Sequence, residues 1–365
     1  VKIGFDAKRL FLNKTGLGNY SRTLVRNLQR YFPENKYFLF TPRVEKNEET
    51  QYFIDNPDFT VITYPSFMSA YWRSVGVIQY LRDLKIDVFH GLSHELPFGL
   101  KKAGIKSCVT VHDLIFEKHP ELFPLIDRTL YHFKYKNSAQ RADRVLSISH
   151  STTADIKGIW GIPDSKISLL YQTCGDSFFT RPAISERRDY FLYVGAIIPR
   201  KGLHEIVEAY DFLEDKYRLP IIVIGTGGTY FDVIRNKIDQ QGLSPYFIFK
   251  GQVSNTDLVA YYDEARALIY PSKYEGFGIP IVEAALRRCP IICSQTSSMP
   301  EASGPDAIFT QPGNSQSIVE AIKFCVDNPD KLENKAKKTY IYADENFNPQ
   351  HTARSLISIY RDLKK

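Results

Sequence analysis

Residues 190–228 read YFLYVGAIIPRKGLHEIVEAYDFLEDKYRLPIIVIGTGG. An apolar run ends in glycine, a charged turn follows, helical spacing starts near 202, and a second apolar run ends in GTGG. Short apolar runs separated by helical patterns are the mark of parallel strands buried on both faces. The alternation continues downstream through a helix from about 229, YFIFKGQV, a helix over 255–265, ALIYPS, a helix over about 280–288, PIICSQ and DAIFTQ. It also runs upstream: VKIGFDA, a helical pattern over about 19–31, YFLFT, DFTVITY, helical spacing over 71–85, IDVFHG, CVTVHDL, RVLSISH, and a helix-like segment near 124–141 among the later strands. The stretch 176–190, DSFFTRPAISERRDY, breaks the pattern with a proline and local charge. Two α/β domains, 1–180 and 181–365, are the expected organisation. A ligand is expected in their cleft, outside the carboxyl ends of the strands. The last helix, about 349–364, can pack on either domain.

Composition agrees with two domains. The chain has 365 residues, 43% hydrophobic and 24% charged, which excludes wholesale disorder. No apolar run approaches the roughly 20 residues that span a bilayer. The opening VKIGFDAKRLF reads as a buried strand and not as a secretory signal. Five cysteines, with only Cys289 and Cys293 close together, read as thiols in a reducing compartment.

The net charge of +6 is uneven: residues 1–180 hold 24 Lys and Arg against 18 Asp and Glu, and the remainder holds 23 of each. Arg22, Arg26 and Arg30 are spaced to form one helical stripe beside Tyr20, Leu24, Leu28 and Tyr31. The stripe is either a solvated face or a surface for anionic lipid or a phosphate-bearing, lipid-linked acceptor. No nucleic-acid recognition motif accompanies it.

Four segments carry candidate chemistry. TGLGNY places Gly16 and Gly18 between the first strand and a helix, as a flexible loop or one that folds over a ligand. TVHDL delivers His112 to the end of a strand, where it can serve structure or bond a sugar hydroxyl. GAIIPRKG sets Arg200 and Lys201 at a strand end before a helix, a pairing of planar fork and point charge that suits a diphosphate. KYEGFGIPIVEAA sets Glu275 and Glu283 eight residues apart, with Gly276, Phe277 and Gly278 between them. Pro280 suits a first helical turn, so Glu275 falls in the preceding loop and Glu283 about one turn into the helix.

The E-x7-E spacing in EGFGIPIVEAA resembles the retaining glycosyltransferases of family 4, and TGLGNYSRTLVRNL, VHDLIFEKHPELF, SISHSTTADI, GAIIPRKG and TSSMPE follow in that family's order. VHDLIFEKHPELF resembles its bacterial mannosyltransferase branch in polysaccharide assembly. The resemblance implies the GT-B fold, two Rossmann-like domains facing across a central cleft. The N-terminal domain would bind the acceptor and the C-terminal one the nucleotide sugar. Glu283 would hold the ribose, and Glu275 the donor sugar with Gly276, Phe277 and Gly278 around it. Arg200 and Lys201 would neutralise the leaving diphosphate. Gly16 and Gly18 would let backbone approach phosphates or acceptor, and His112 would contact the sugar. The helix near Ser298 would offer backbone N–H groups. One departure is Ala196, where many members carry arginine after the glycine matching Gly195; Arg200 would supply the second cation.

The implied reaction is retaining transfer of a hexose to a growing glycan on a lipid carrier. Mannose from GDP-mannose is the expected donor, with UDP-sugars open. No tightly bound cofactor and no essential metal are expected. The expected place is the cytoplasm, peripheral at the inner face of the cytoplasmic membrane. A UDP-dependent glucosyl- or N-acetylhexosaminyltransferase is the alternative. A nucleotide-sugar epimerase, a phosphorylase and a silent nucleotide-sugar-binding protein are the rivals.

Overall fold

The computed structural model describes residues 1–64, 69–180 and 187–365. The 180/181 join and the middle of the expected break lie outside these residues. The chain forms two compact units, one of Val1–Thr173 with Asn348–Lys365 and the other of Cys174–Phe347.

Among the described residues, the first unit holds seven strands: β1 (Lys2–Asp6), β2 (Lys36–Thr41), β3 (Phe59–Thr63), β4 (Val88–Gly91), β5 (Lys106–Val111), β6 (Arg144–Ser147) and β7 (Ile167–Leu169). They are parallel, in the order β3-β2-β1-β4-β5-β6-β7, with Ile3 opposite Tyr37 on one side and Val88 on the other. The second unit holds β8 (Phe191–Val194), β9 (Ile221–Ile224), β10 (Phe247–Gly251), β11 (Ala267–Tyr270), β12 (Ile291–Ser294) and β13 (Ile308–Thr310), also parallel, in the order β10-β9-β8-β11-β12-β13. FLYV, IIVI and ALIY are buried at every position. Helices cover both faces of such strands, so each is continuously apolar and does not alternate. All five cysteines are buried free thiols.

Each sheet reverses its strand order once, at β1/β4 and at β8/β11. Loops leaving the two neighbouring strands there turn to opposite faces and open a crevice at their carboxyl ends.

The helix Gly16–Tyr31 starts at Gly16, so Gly16 and Gly18 form its first turn and not a separate loop before residue 19. The Asn13 side chain explains the early start: its Oδ1 accepts from the backbone N–H of Thr15 at 2.9 Å and of Gly18 at 3.0 Å. A Cβ on Gly18 would lie 1.8 Å from the Asn13 carbonyl oxygen, whereas at Gly16 it would meet open space. Tyr20, Leu24 and Leu28 pack inward as the spacing predicts.

The arginine stripe is partly built into the fold: Arg30 is exposed, whereas Arg22 and Arg26 pack against neighbours. Arg22 is buried, donates to the carbonyls of Leu10 and Asn13 at 2.9 Å each, and pairs with Glu49 at 2.6 Å. Arg26 lies 4.9 Å from the Tyr52 ring centroid. The helix Glu48–Asp55 brings Glu49 against Arg22 and Tyr52 against Arg26.

The last helix, Pro349–Lys364, joins the first unit. Ala353, Leu356, Ile357 and Tyr360 enter the core that holds Ile3, Phe5 and Leu24. The Tyr360 hydroxyl lies 2.6 Å from His90 Nδ1 on β4. Burying one large apolar side chain is worth about 1.5–3 kcal/mol. Stopping the chain after Phe347 is therefore expected to remove more stability than a domain of this size holds in reserve, about 5–15 kcal/mol, once the exposed underlying core is included. Urea unfolding of the truncated chain should show the first unit open without denaturant.

Candidate active site

Strand β8 ends at Val194, and the chain passes Gly195 into a short 3-10 turn, Pro199–Lys201, before the helix Leu203–Phe212. Strand β11 ends at Tyr270, and residues 271–278 lead to the helix Ile279–Leu286, with Pro280 in its first turn. These are the two loops that part at the β8/β11 reversal, and their side chains meet.

Glu275 Oε1 lies 2.9 Å from Arg200 Nη1, 2.6 Å from Lys201 Nζ and 2.6 Å from Ser272 Oγ. Arg200 also donates to the Tyr274 carbonyl, and Lys201 lies 2.6 Å from the Tyr270 hydroxyl. Burial alone would raise the Glu275 carboxyl. Lys201 and Arg200 outweigh that, and the group sits below its ordinary value, ionised at neutral pH. The cluster of two cations and one carboxylate carries a net positive charge, largely withdrawn from water. Arg200 thus points into the same cluster as Lys201, although Ala196 has no charge to offer.

The loop around Glu275 is tied from behind. Ser298 Oγ donates to the carbonyls of Glu275 and Phe277, each at 2.9 Å, and the Glu275 N–H donates to Ser297 Oγ at 3.0 Å. Phe277 is buried with its ring centroid 5.3 Å from that of Phe347, so its ring serves packing. Gly276 and Gly278 lie on either side, and the helix starts immediately after Gly278. The helix after Ser298 is short, Met299–Ser303.

Glu283 lies on the helix Ile279–Leu286. The Tyr262 hydroxyl donates to its Oε2 at 3.0 Å. Burial raises the Glu283 carboxyl to about 7, with the Tyr262 bond opposing. Its neighbour Glu275, kept acidic by two cations, is therefore in a different electrostatic state. Sequence reasoning missed Tyr262, Ser272 and the bracing roles of Ser297 and Ser298.

The structure brings together Arg200, Lys201 and Glu275, and places Glu283 on the helix that follows. His112, Gly16 and Gly18 belong to the first unit. His112 follows β5, with Nε2 2.9 Å from the Leu92 carbonyl and Nδ1 3.2 Å from Gln172 Nε2. Nε2–H therefore donates and Nδ1 accepts, a neutral imidazole with both nitrogens engaged. Burial, with His94 adjacent, lowers its pKa to about 3. The ring is placed to brace the strand end through both nitrogens. Among the described residues, no group of three or more His, Cys, Asp or Glu is placed to hold a metal ion.

Residues 15–172 match the Glycosyltransferase Family 4 sequence family and residues 176–342 match Glycosyl transferases group 1. The chain belongs to the family 4 glycosyltransferases. It is 28% identical over 342 residues to O-antigen chain mannosyltransferase B of Escherichia coli, covering 87% of this chain and 88% of that one. It is 32% identical over 224 residues to O-antigen chain mannosyltransferase RfbU of Salmonella typhimurium, covering 61% of this chain and 62% of that one. Among solved structures, sucrose-phosphate synthase from Thermosynechococcus elongatus matches with a TM-score of 0.79 at 17% identity, covering 99% of this chain and 98% of that one. Anabaena Alr3699/HepE in complex with UDP matches with a TM-score of 0.77 at 16% identity, covering 99% of both chains. The fold of this glycosyltransferase is GT-B, two Rossmann-like domains each built on a parallel sheet.

Proposed function

We propose that this glycosyltransferase moves mannose from GDP-mannose, with retention at the anomeric carbon, to a hydroxyl of a growing lipid-linked glycan at the inner face of the cytoplasmic membrane. The cluster of Arg200, Lys201 and Glu275 at the β8/β11 reversal carries the reading. Cleaving the anomeric bond leaves positive character on the sugar and negative charge on the diphosphate. Arg200 and Lys201 meet the diphosphate, and Glu275 meets the sugar. A preorganised pair of this kind acts on charge as it develops. The departing diphosphate takes the proton of the incoming hydroxyl, so His112 need not ionise. Two protein cations do the work of a divalent ion, and transfer is expected to survive chelation. The O-antigen mannosyltransferase relatives favour mannose and a lipid-linked acceptor. The second reading, a UDP-sugar donor, is favoured by the likeness to Alr3699/HepE, solved with UDP-glucose.

Calorimetry with GDP, UDP and ADP separates the two. Preference for GDP, lost in Glu283→Ala and Lys201→Ala, supports the proposal. Preference for UDP replaces the donor, and no binding by a folded protein removes the donor site proposed at Arg200, Lys201 and Glu283.

The same titration has an expected pH dependence. Ribose hydroxyls donate, so an ionised Glu283 accepts from both and a protonated one does not. With the carboxyl at about 7, nucleotide affinity should rise as pH increases. The gain should be about tenfold between about pH 6 and pH 8, and Glu283→Gln should flatten it. Stability runs the other way: the folded value lies above the unfolded one, so the contribution is full in acid and fades as pH rises through about 7.

A further inference from the structure

We propose that the outer face of the helix Leu125–Arg141, with Phe98 and the lysines beside it, docks the first unit onto an anionic lipid bilayer. Ile126, Leu130 and Phe133 are four and three residues apart and form one stripe, with Leu125 at its start. They are 82%, 56%, 69% and, for Leu125, 66% exposed. Phe98, 53% exposed, extends the stripe across a shallow groove that it lines with Leu130, Phe133, Lys136 and Gln140. Leu125, Ile126, Leu130 and Phe133 stay at the surface of the first unit. The helix buries Ser138 and Ala139 at its far end, and its inward rings Tyr131 and Tyr135 pack on Phe116. A contiguous apolar strip left in water on a charged chain is the mark of a contact surface.

Charge selects the occupant. The helix carries Arg128, Lys134, Lys136 and Arg141 against a single acid, Asp127. Glu95 takes up Lys134 at 2.7 Å, and Glu121 lies just before the helix. Arg141 fixes Phe98 to the helix: its guanidinium is 4.2 Å from the Phe98 ring centroid and donates to the Pro97 carbonyl at 2.9 Å. Exposed Lys101 and Lys102 border the same end of the helix near Gln140. The whole first unit has 28 Lys and Arg against 18 Asp and Glu, and the second has 19 against 23. An apolar stripe flanked by cations, lying along one helix, suits the interface of a bilayer. There the apolar chains enter the acyl boundary and the cations meet lipid phosphates. The surface replaces the Arg22–Arg26–Arg30 stripe as the site of lipid contact. Its purpose rests on the lipid-linked acceptor proposed above, but its test needs neither donor nor acceptor.

The test is flotation of the full chain with phosphatidylcholine vesicles and with vesicles in which phosphatidylglycerol makes up about a third of the lipid. The wild type should float with the anionic vesicles, less so in high salt, and poorly with the neutral ones. Ile126→Ser with Phe133→Ser should lower binding about tenfold or more. Lys101→Glu with Lys102→Glu should weaken it and remove the salt dependence. All four positions are exposed, so urea unfolding and nucleotide binding should stay at wild-type values, which separates lost docking from lost folding and from a wrong donor. Absence of wild-type flotation overturns the proposal, and so do variants that float as well as the wild type. A wild-type dimer that Ile126→Ser with Phe133→Ser splits, without vesicle binding, also overturns it and makes the stripe a contact between copies.

Discussion

Glu275→Gln is expected to lower turnover by about 10²–10³, about 2.7–4 kcal/mol of transition-state stabilisation, while nucleotide affinity stays level or tightens. The opposite directions follow from the geometry. The Glu275 carboxylate holds Arg200 Nη1 at 2.9 Å and Lys201 Nζ at 2.6 Å. An amide keeps the shape but loses the charge, so both cations become more available to a diphosphate. The same loss takes away the negative group proposed to face the positive character on the sugar. Lys201→Ala should instead depress both quantities, since it removes a proposed diphosphate contact. Steady-state transfer and calorimetry on the two variants check this. If Glu275→Gln weakened nucleotide binding as much as turnover, Glu275 would be a brace for the loop and not a group acting on the sugar.

Gly225→Ala is expected to cost about 3–5 kcal/mol, combining a backbone state that alanine resists with a collision the core cannot relieve. Gly225 has φ +145°, and a Cβ there would lie 1.9 Å from the Gly195 carbonyl oxygen. Both glycines close strands that neighbour each other in the second sheet, and Gly195 opens the loop that carries Arg200 and Lys201. Strain at Gly225 therefore falls on the site as well as on the fold. Gly228→Ala, three residues on, meets nothing within 4 Å and should change stability by less than about 0.5 kcal/mol. Urea midpoints of the pair give the comparison directly.

The apolar runs made the strands legible because a strand covered on both faces writes its burial at every position. The edge strand β7 escaped notice, since Ile167–Leu169 is only half-buried and three residues long. The charged members of the site were legible for a different reason. Arg200, Lys201 and Glu275 sit where strands end, and local sequence alone marks such places. Tyr262 was not legible: it lies on the helix Asn255–Glu264 and reads as an ordinary inward aromatic until Glu283 is placed beside it. Ser297 and Ser298 act through a contact more than twenty residues away from Glu275, which no spacing announces. The arginine stripe was legible only in part, because periodicity records which residues share a face and not what packs against that face. Glu49 lies on a separate helix, beyond the reach of that pattern.

The placement of Pro349–Lys364 makes the second unit an insertion within the first. The order of folding therefore need not follow the numbering. Strands β1 to β7 leave the ribosome first, yet their core still lacks Leu356, Ile357 and Tyr360. The second unit, Cys174–Phe347, emerges whole and can fold while the earlier half waits. During that interval the apolar face beside the helix Gly16–Tyr31 stays uncovered, and Pro349–Lys364 is the helix that seals it.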